Sequence, residues 1–173
     1  MTGPPDSHAL YIAVVGGGGA LTESERDRAE KVGRAVAEAG AVLVCGGLDG
    51  VMEAACRGAH DVGGLTVGIL PGRHRAGANP HVDIAIPTGL GEARNALVVR
   101  AADAVVAVAG EYGTLSEMAL ALKAGIPVIG LDTWELGRAG VADQAVVRAT
   151  DPAQAVAQAV TLARHARQGT APP

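Results

Sequence analysis

Short, continuously apolar runs alternate with longer stretches of helical periodicity along most of the 173-residue chain. The runs fall at Tyr11–Val15, Ala41–Cys45, Thr66–Leu70, Val82–Ile86, Ala104–Ala109 and Pro127–Leu131. Continuous rather than alternating apolarity marks strands buried on both faces, as in a parallel sheet covered by helices. The intervening segments carry helix punctuation. Thr22 and Glu25 form a capping box that starts a helix running to about Ala39, where Gly40 stops it. Further helices are expected over Val51–Ala59, Glu92–Ala101 and Leu115–Ala124, the last ended by Gly125 and Pro127. A final helix opens at "TDPAQ", where Thr150 or Asp151 can cap and Pro152 suits the first turn. The alternation predicts an α/β chain: a single Rossmann-like domain over residues 1–173, with a doubly wound parallel sheet and helices on both faces. The tails, about 1–8 and 168–173, read as frayed ends, and Trp134–Ala142 fits no element.

Composition narrows the function classes. A net charge of −4 with no Lys/Arg block gives no electrostatic footprint for nucleic acid or an anionic membrane. No apolar stretch approaches the roughly 20 residues needed to span a bilayer, and "MTGPPDSHAL" has no leader-like pattern, so a cytoplasmic protein is expected. Cys45 and Cys56 match no zinc spacing and read as buried thiols. The five histidines are scattered, so neither a metal site nor a resident cofactor is expected.

Three predicted strands end in glycine-rich turns: Gly16–Gly19, Gly46–Gly50 and Gly110–Gly113. Each precedes a helix, and ligands of open parallel sheets bind where such turns converge. Unsatisfied N–H groups and the positive end of the helix dipole would make an anion site there without any lysine. Gly16, Gly17, Gly18, Gly46, Gly47, Gly50, Asn95, Gly110, Glu111, Tyr112, Gly113 and Thr114 are the candidates for holding a phosphate or nucleotide. The chain has no G-x-x-x-x-G-K-[ST] motif, and Lys31 and Lys123 lie in expected helices, away from any Schiff-base role. Asp49 reads as a turn residue bonding its own backbone.

The stretches Gly46–Gly72 and Gly89–Leu131 resemble the family historically labelled possible lysine decarboxylases, whose characterised branch is the LOG phosphoribohydrolases. They look closest to a short branch that includes molybdenum-cofactor carrier proteins and is distantly similar to the DprA fold. The family signature PGGxGTxxE is matched at Gly110, Gly113, Thr114 and Glu117, with Arg94 on the preceding helix. Ala109 replaces the proline, which should alter loop stiffness only modestly, and Glu111 replaces a glycine. The resemblance implies hydrolysis of a nucleoside 5′-monophosphate to free base and ribose 5-phosphate, with Arg94 and Glu117 catalytic, and at least a homodimer. Asn95, with Glu92, ranks behind them, and Tyr112 stands where it could flank a sugar or base. Because Glu111 places a carboxylate beside the expected phosphate, a second reading stays open: a protein that binds or carries a nucleotide or molybdopterin-type cofactor without turning it over.

Overall fold

A computed structural model describes residues 9–169. Residues 1–8 and 170–173, which hold most of the expected tails, lie outside the described range, whereas Gln168 and Gly169 close the last helix.

Six of the seven strands of the main sheet coincide, within a few residues, with the expected runs. They are β1 (Tyr11–Gly16), β2 (Val42–Cys45), β3 (Thr66–Leu70), β4 (Ile84–Pro87), β5 (Ala104–Val108) and β6 (Val128–Leu131). Between β6 and the seventh strand a small antiparallel hairpin, β7 (Gly137–Arg138) with β8 (Val141–Ala142), occupies the segment that fitted no element. The seventh strand, β9 (Val146–Ala149), gave no apolar run because it is four residues long, lies at the sheet edge and carries Arg148. All seven strands are parallel, in the order β4-β3-β2-β1-β5-β6-β9.

The helices divide between the two faces as a doubly wound sheet requires. Helices α1 (Glu23–Glu38), α2 (Val51–His60) and α5 (Pro152–Arg167) pack on one face, against Ile12, Val14, Leu43, Val106 and Ile129. Helices α3 (Asn95–Arg100) and α4 (Tyr112–Lys123) cover the other, against Ala13, Val15, Val44, Val105 and Val128. The capping box of α1 and the Asp151 cap of α5 form as expected. Two helices differ. The stretch expected as one helix from Glu92 is a 3₁₀ turn, Gly91–Arg94, followed by α3, and α4 starts three residues earlier than Leu115.

Burial on both faces fails for β4. Ile84 and Ile86 are 46% and 44% exposed, on the side that carries α3 and α4, because β4 ends the sheet and the six-residue α3 leaves them uncovered. Among the described residues, no helix is long and apolar enough to cross a membrane.

Candidate functional site

β1 and β5 are neighbours in the sheet, but the chain leaves β1 toward α1 on one face and β5 toward α4 on the other. The turns part at this switch point and leave a crevice at the carboxyl ends of the strands. A cavity of about 330 Å³ lies there. Its walls include Gly16 at the end of β1, Gly17 and Gly18 after it, and Glu111, Gly113 and Thr114 after β5. Arg94, Asn95 and Glu117 complete the polar side, while Leu48, Met52 and Pro71 make an apolar wall.

Arg94 and Glu117, the two expected catalytic residues, are both buried at the cavity, 6% and 7% exposed. Their closest approach is 3.8 Å, from Nη1 to Oε1, an ion pair without a hydrogen bond. Arg94 Nη1 donates to Asn95 Oδ1, and Nη2 reaches the Gly46 carbonyl at 3.4 Å. Its Nε is buried with no partner. Burial pulls the guanidinium pKa down, opposed by Glu117. The same burial pushes the Glu117 carboxyl up to about 7, with Arg94 holding it lower than burial alone would.

The start of α4 forms the opposite wall. Glu111 is its N-cap in position but makes no side-chain cap bond; its carbonyl accepts from Leu115 N–H, and the N–H groups of Tyr112, Gly113 and Thr114 have no acceptor from the helix or its cap. Thr114 is 2% exposed, and its Oγ1 is buried with no partner. The approach to the helix is bent: Ala109 and Gly110 have φ of 47° and 102°. Proline, fixed near −65°, cannot occupy the Ala109 conformation, so the replacement of the signature proline changes the turn itself rather than its stiffness. Glu111 is exposed at the cavity rim, and Tyr112 turns away, 79% exposed, to meet the Trp134 ring at 5.4 Å.

The convergence of three helix starts is not what the structure builds. The N-terminus of α1 is closed by its own Thr22–Glu25 capping box. The first N–H of α2, at Val51, donates to the Gly17 carbonyl. The start of α4, with no side-chain cap, stays open to the cavity. Gly46, Gly47, Gly50 and Gly110 accordingly stand behind the walls: Gly46 lies under the Arg94 guanidinium, Gly47 against Gly68 and Leu70, Gly50 against Gly17, and Gly110 against Thr114. Asp49 bonds not its own turn but the neighbouring one, accepting from the Gly19 N–H at 3.0 Å. Cys45 and Cys56 are buried thiols, as expected, with their sulfurs 3.4 Å apart.

Sequence reasoning missed the segment after β6. Thr133 Oγ1 donates to the Ala109 carbonyl and Trp134 Nε1 to the Glu111 carbonyl. No motif marks these residues, and Trp134 lay in the segment that fitted no element. The apolar wall was equally silent, apart from Pro71-Gly72 closing an apolar run as a strand-end signal.

The match to known proteins is made by this same framework: the model of the SLOG cluster4 family aligns with residues 9–163. The chain belongs to the SLOG cluster4 family. A relative in that neighbourhood, an uncharacterized protein of Archaeoglobus fulgidus, is 48% identical over 122 residues, 70% of this chain and 80% of its own length. Among solved structures, the molybdenum cofactor binding protein of Rippkaea orientalis superposes with a TM-score of 0.81 at 36% identity. That alignment covers 91% of this chain and 99% of the other. The molybdenum cofactor carrier protein of Chlamydomonas reinhardtii gives 0.76 at 35% identity, covering 90% and 98%. DNA processing protein A of Helicobacter pylori, at 21% identity and a TM-score of 0.66 over 88% of this chain and 80% of that one, shares the fold. The expected likeness to short molybdenum-cofactor carrier proteins is the part of the resemblance that these structures carry.

Proposed function

We propose that this SLOG protein binds or carries a phosphorylated small molecule, a nucleotide or molybdopterin-type cofactor, as cargo and does not turn it over. One observation carries the reading. Two buried groups without partners, Arg94 Nε and Thr114 Oγ1, share a cavity with the uncapped start of α4. A buried donor left unpaired costs about 1–3 kcal/mol, which a tetrahedral oxyanion accepting from both would recover. A phosphate monoester fits the donor set: helix N–H groups, a hydroxyl and a guanidinium edge. The apolar wall of Leu48, Met52 and Pro71 suits a flat heterocycle, and about 330 Å³ lies within the usual range for small-molecule sites. The molybdenum-cofactor relatives support the same reading.

The test is to purify the chain, release bound small molecules and identify them by mass spectrometry, then titrate phosphorylated candidates and their dephosphorylated analogues by calorimetry. Trp134, the sole tryptophan, bonds the Glu111 carbonyl and gives a fluorescence signal beside the site. Binding that depends on the phosphate, with the ligand recovered intact, is the expected result. If no phosphorylated compound binds or shifts the melting temperature, the reading fails.

A second reading rests on Glu117. A carboxyl held near 7 can exchange a proton at neutral pH, as hydrolysis of a ribosyl N-glycoside requires. Release of free base from nucleoside 5′-monophosphates would support it, and equal release by Glu117→Ala would sink it. Either reading includes a homo-oligomer, for which exposed Ile84, Ile86 and Leu97 offer apolar surface, and sedimentation of the purified chain tests it.

A further inference from the structure

The turn that opens α4 is held from outside the cavity. Ala109 and Gly110 take left-handed conformations, with φ of 47° and 102°, and the first of these costs a non-glycine residue free energy. Such a turn persists only where its surroundings over-determine it. Three hydrogen bonds do so, one to the last residue of β6 and two to the segment directly after it. The Ala109 N–H donates to the Leu131 carbonyl at 3.1 Å. Thr133 Oγ1 donates to the Ala109 carbonyl at 2.5 Å, and Trp134 Nε1 donates to the Glu111 carbonyl at 3.1 Å. The segment is itself anchored: Asp132, also left-handed at φ 48°, pairs with Arg28 on α1.

Neither Thr133 nor Trp134 lines the cavity of Arg94 and Thr114. Their bonds end on the carbonyls of the two residues that set the direction of the incoming chain, one before Gly110 and one at the N-cap of α4. We propose that Thr133 and Trp134 are positioning residues for oxyanion binding: they clamp the Ala109–Glu111 turn so that the open N–H groups of α4 face the cavity. Release of the Thr133 bond frees a strained turn to relax toward ordinary φ values, which rotates the first N–H groups of α4 away from the ligand. The inference rests on the oxyanion site proposed above. It adds that the site is assembled by two adjacent strand ends, β5 and β6, and not by the signature loop alone.

The experiment titrates inorganic phosphate into the full chain and follows the amide resonances of Gly113 and Thr114 by NMR. Wild type, Thr133→Val, Thr133→Ser and Trp134→Phe are compared. Thr133→Val keeps the shape and deletes the donor, so phosphate binding should weaken about tenfold, the effect of losing roughly one strained hydrogen bond. Thr133→Ser restores the hydroxyl and should return to within about twofold of wild type. Trp134→Phe keeps a ring on Tyr112 but loses the N–H, and about threefold weaker binding is expected. Wild-type affinity in Thr133→Val, or a Thr133→Ser as weak as Thr133→Val, overturns the positioning role while leaving the site standing. Where Thr133→Val does not fold, unchanged binding by Trp134→Phe overturns it and weakened binding supports it. A wild-type protein whose Gly113 and Thr114 amides do not respond to phosphate overturns the site, and this inference with it.

Discussion

The guanidinium of Arg94 lies on Gly46 with no room for a β-carbon between them. A methyl at position 46 would stand 2.5 Å from Nη2 and 2.8 Å from Cζ and Nη1. Gly46 is thus the floor on which the buried cation rests, and its carbonyl is a partner of Nη2. Gly46→Ala should displace Arg94 while leaving every cavity-lining side chain chemically intact. Phosphate or AMP binding, followed by calorimetry, should weaken by about 10- to 100-fold, the range for lost hydrogen bonds to a charged group. Wild-type affinity in this variant would mean that Arg94 does not bind the ligand from the position it holds.

Arg94 also sets the charge of its neighbour. Burial raises the Glu117 carboxyl and Arg94 opposes that rise, so Arg94→Met should leave burial unopposed and move Glu117 above its value of about 7. Carboxyl chemical shifts followed through a pH titration read this directly. A Glu117 that titrates lower in Arg94→Met would contradict the pairing.

Stability should carry the signature of the same carboxyl. The folded-state value of about 7 lies above the ordinary carboxyl value of 4.5, so between these pH values the native chain binds more protons than the unfolded one. Stability therefore falls as pH rises through that window, by about 1–3 kcal/mol in total. Denaturant midpoints across pH 4.5–7 should show the decline in wild type and a flatter profile in Glu117→Gln. An identical slope in both would assign the effect to other groups.

Much of this arrangement was legible in the sequence, and the exceptions share a cause. Arg94, Glu117, Gly113 and Thr114 were found because strand ends and a residue signature mark them, and the fold brings all four to one cavity. The β-strand cores were visible because VLVC and AVVAV are buried along their whole length. What stayed hidden depends on tertiary geometry. Nothing local distinguishes a helix start that is open from one closed by another turn's carbonyl, as Val51 is by Gly17. Thr133 and Trp134 act through single bonds to main-chain carbonyls, which impose no motif. β4 looked buried on both faces because apolarity reports propensity for a sheet, not a position at its edge.

Glu111 makes no cap bond and stands exposed at the rim of the cavity, where its carboxylate repels a phosphate at the start of α4. At solvent-like screening a charge a few ångströms away is worth about 1 kcal/mol. Glu111→Gln should therefore tighten phosphate binding about two- to fivefold at low salt, with the gain fading as ionic strength rises. Titrations at low and high salt test both halves. Weaker binding in Glu111→Gln would indicate instead that the carboxylate contacts the ligand, through a hydrogen-bond donor or a cation.

Ala109 is where this chain and the signature it resembles part most sharply. With φ at 47° the residue lies in the region that glycine enters freely, alanine enters at a cost and proline cannot enter. Its N–H also donates to the Leu131 carbonyl, a bond that proline would delete. Restoring the signature proline should therefore damage the protein. Ala109→Pro is expected to lower stability by about 3 kcal/mol or more and to abolish phosphate binding. Ala109→Gly should stay within about 1 kcal/mol of wild type, since relief of the left-handed strain offsets the extra freedom of the unfolded chain. Denaturant unfolding and phosphate titration of the two variants side by side distinguish strain from side-chain loss. Equal tolerance of proline and glycine would show that the turn adopts another conformation in solution. A stable Ala109→Pro that bound phosphate as wild type does would remove the basis for the clamp by Thr133 and Trp134.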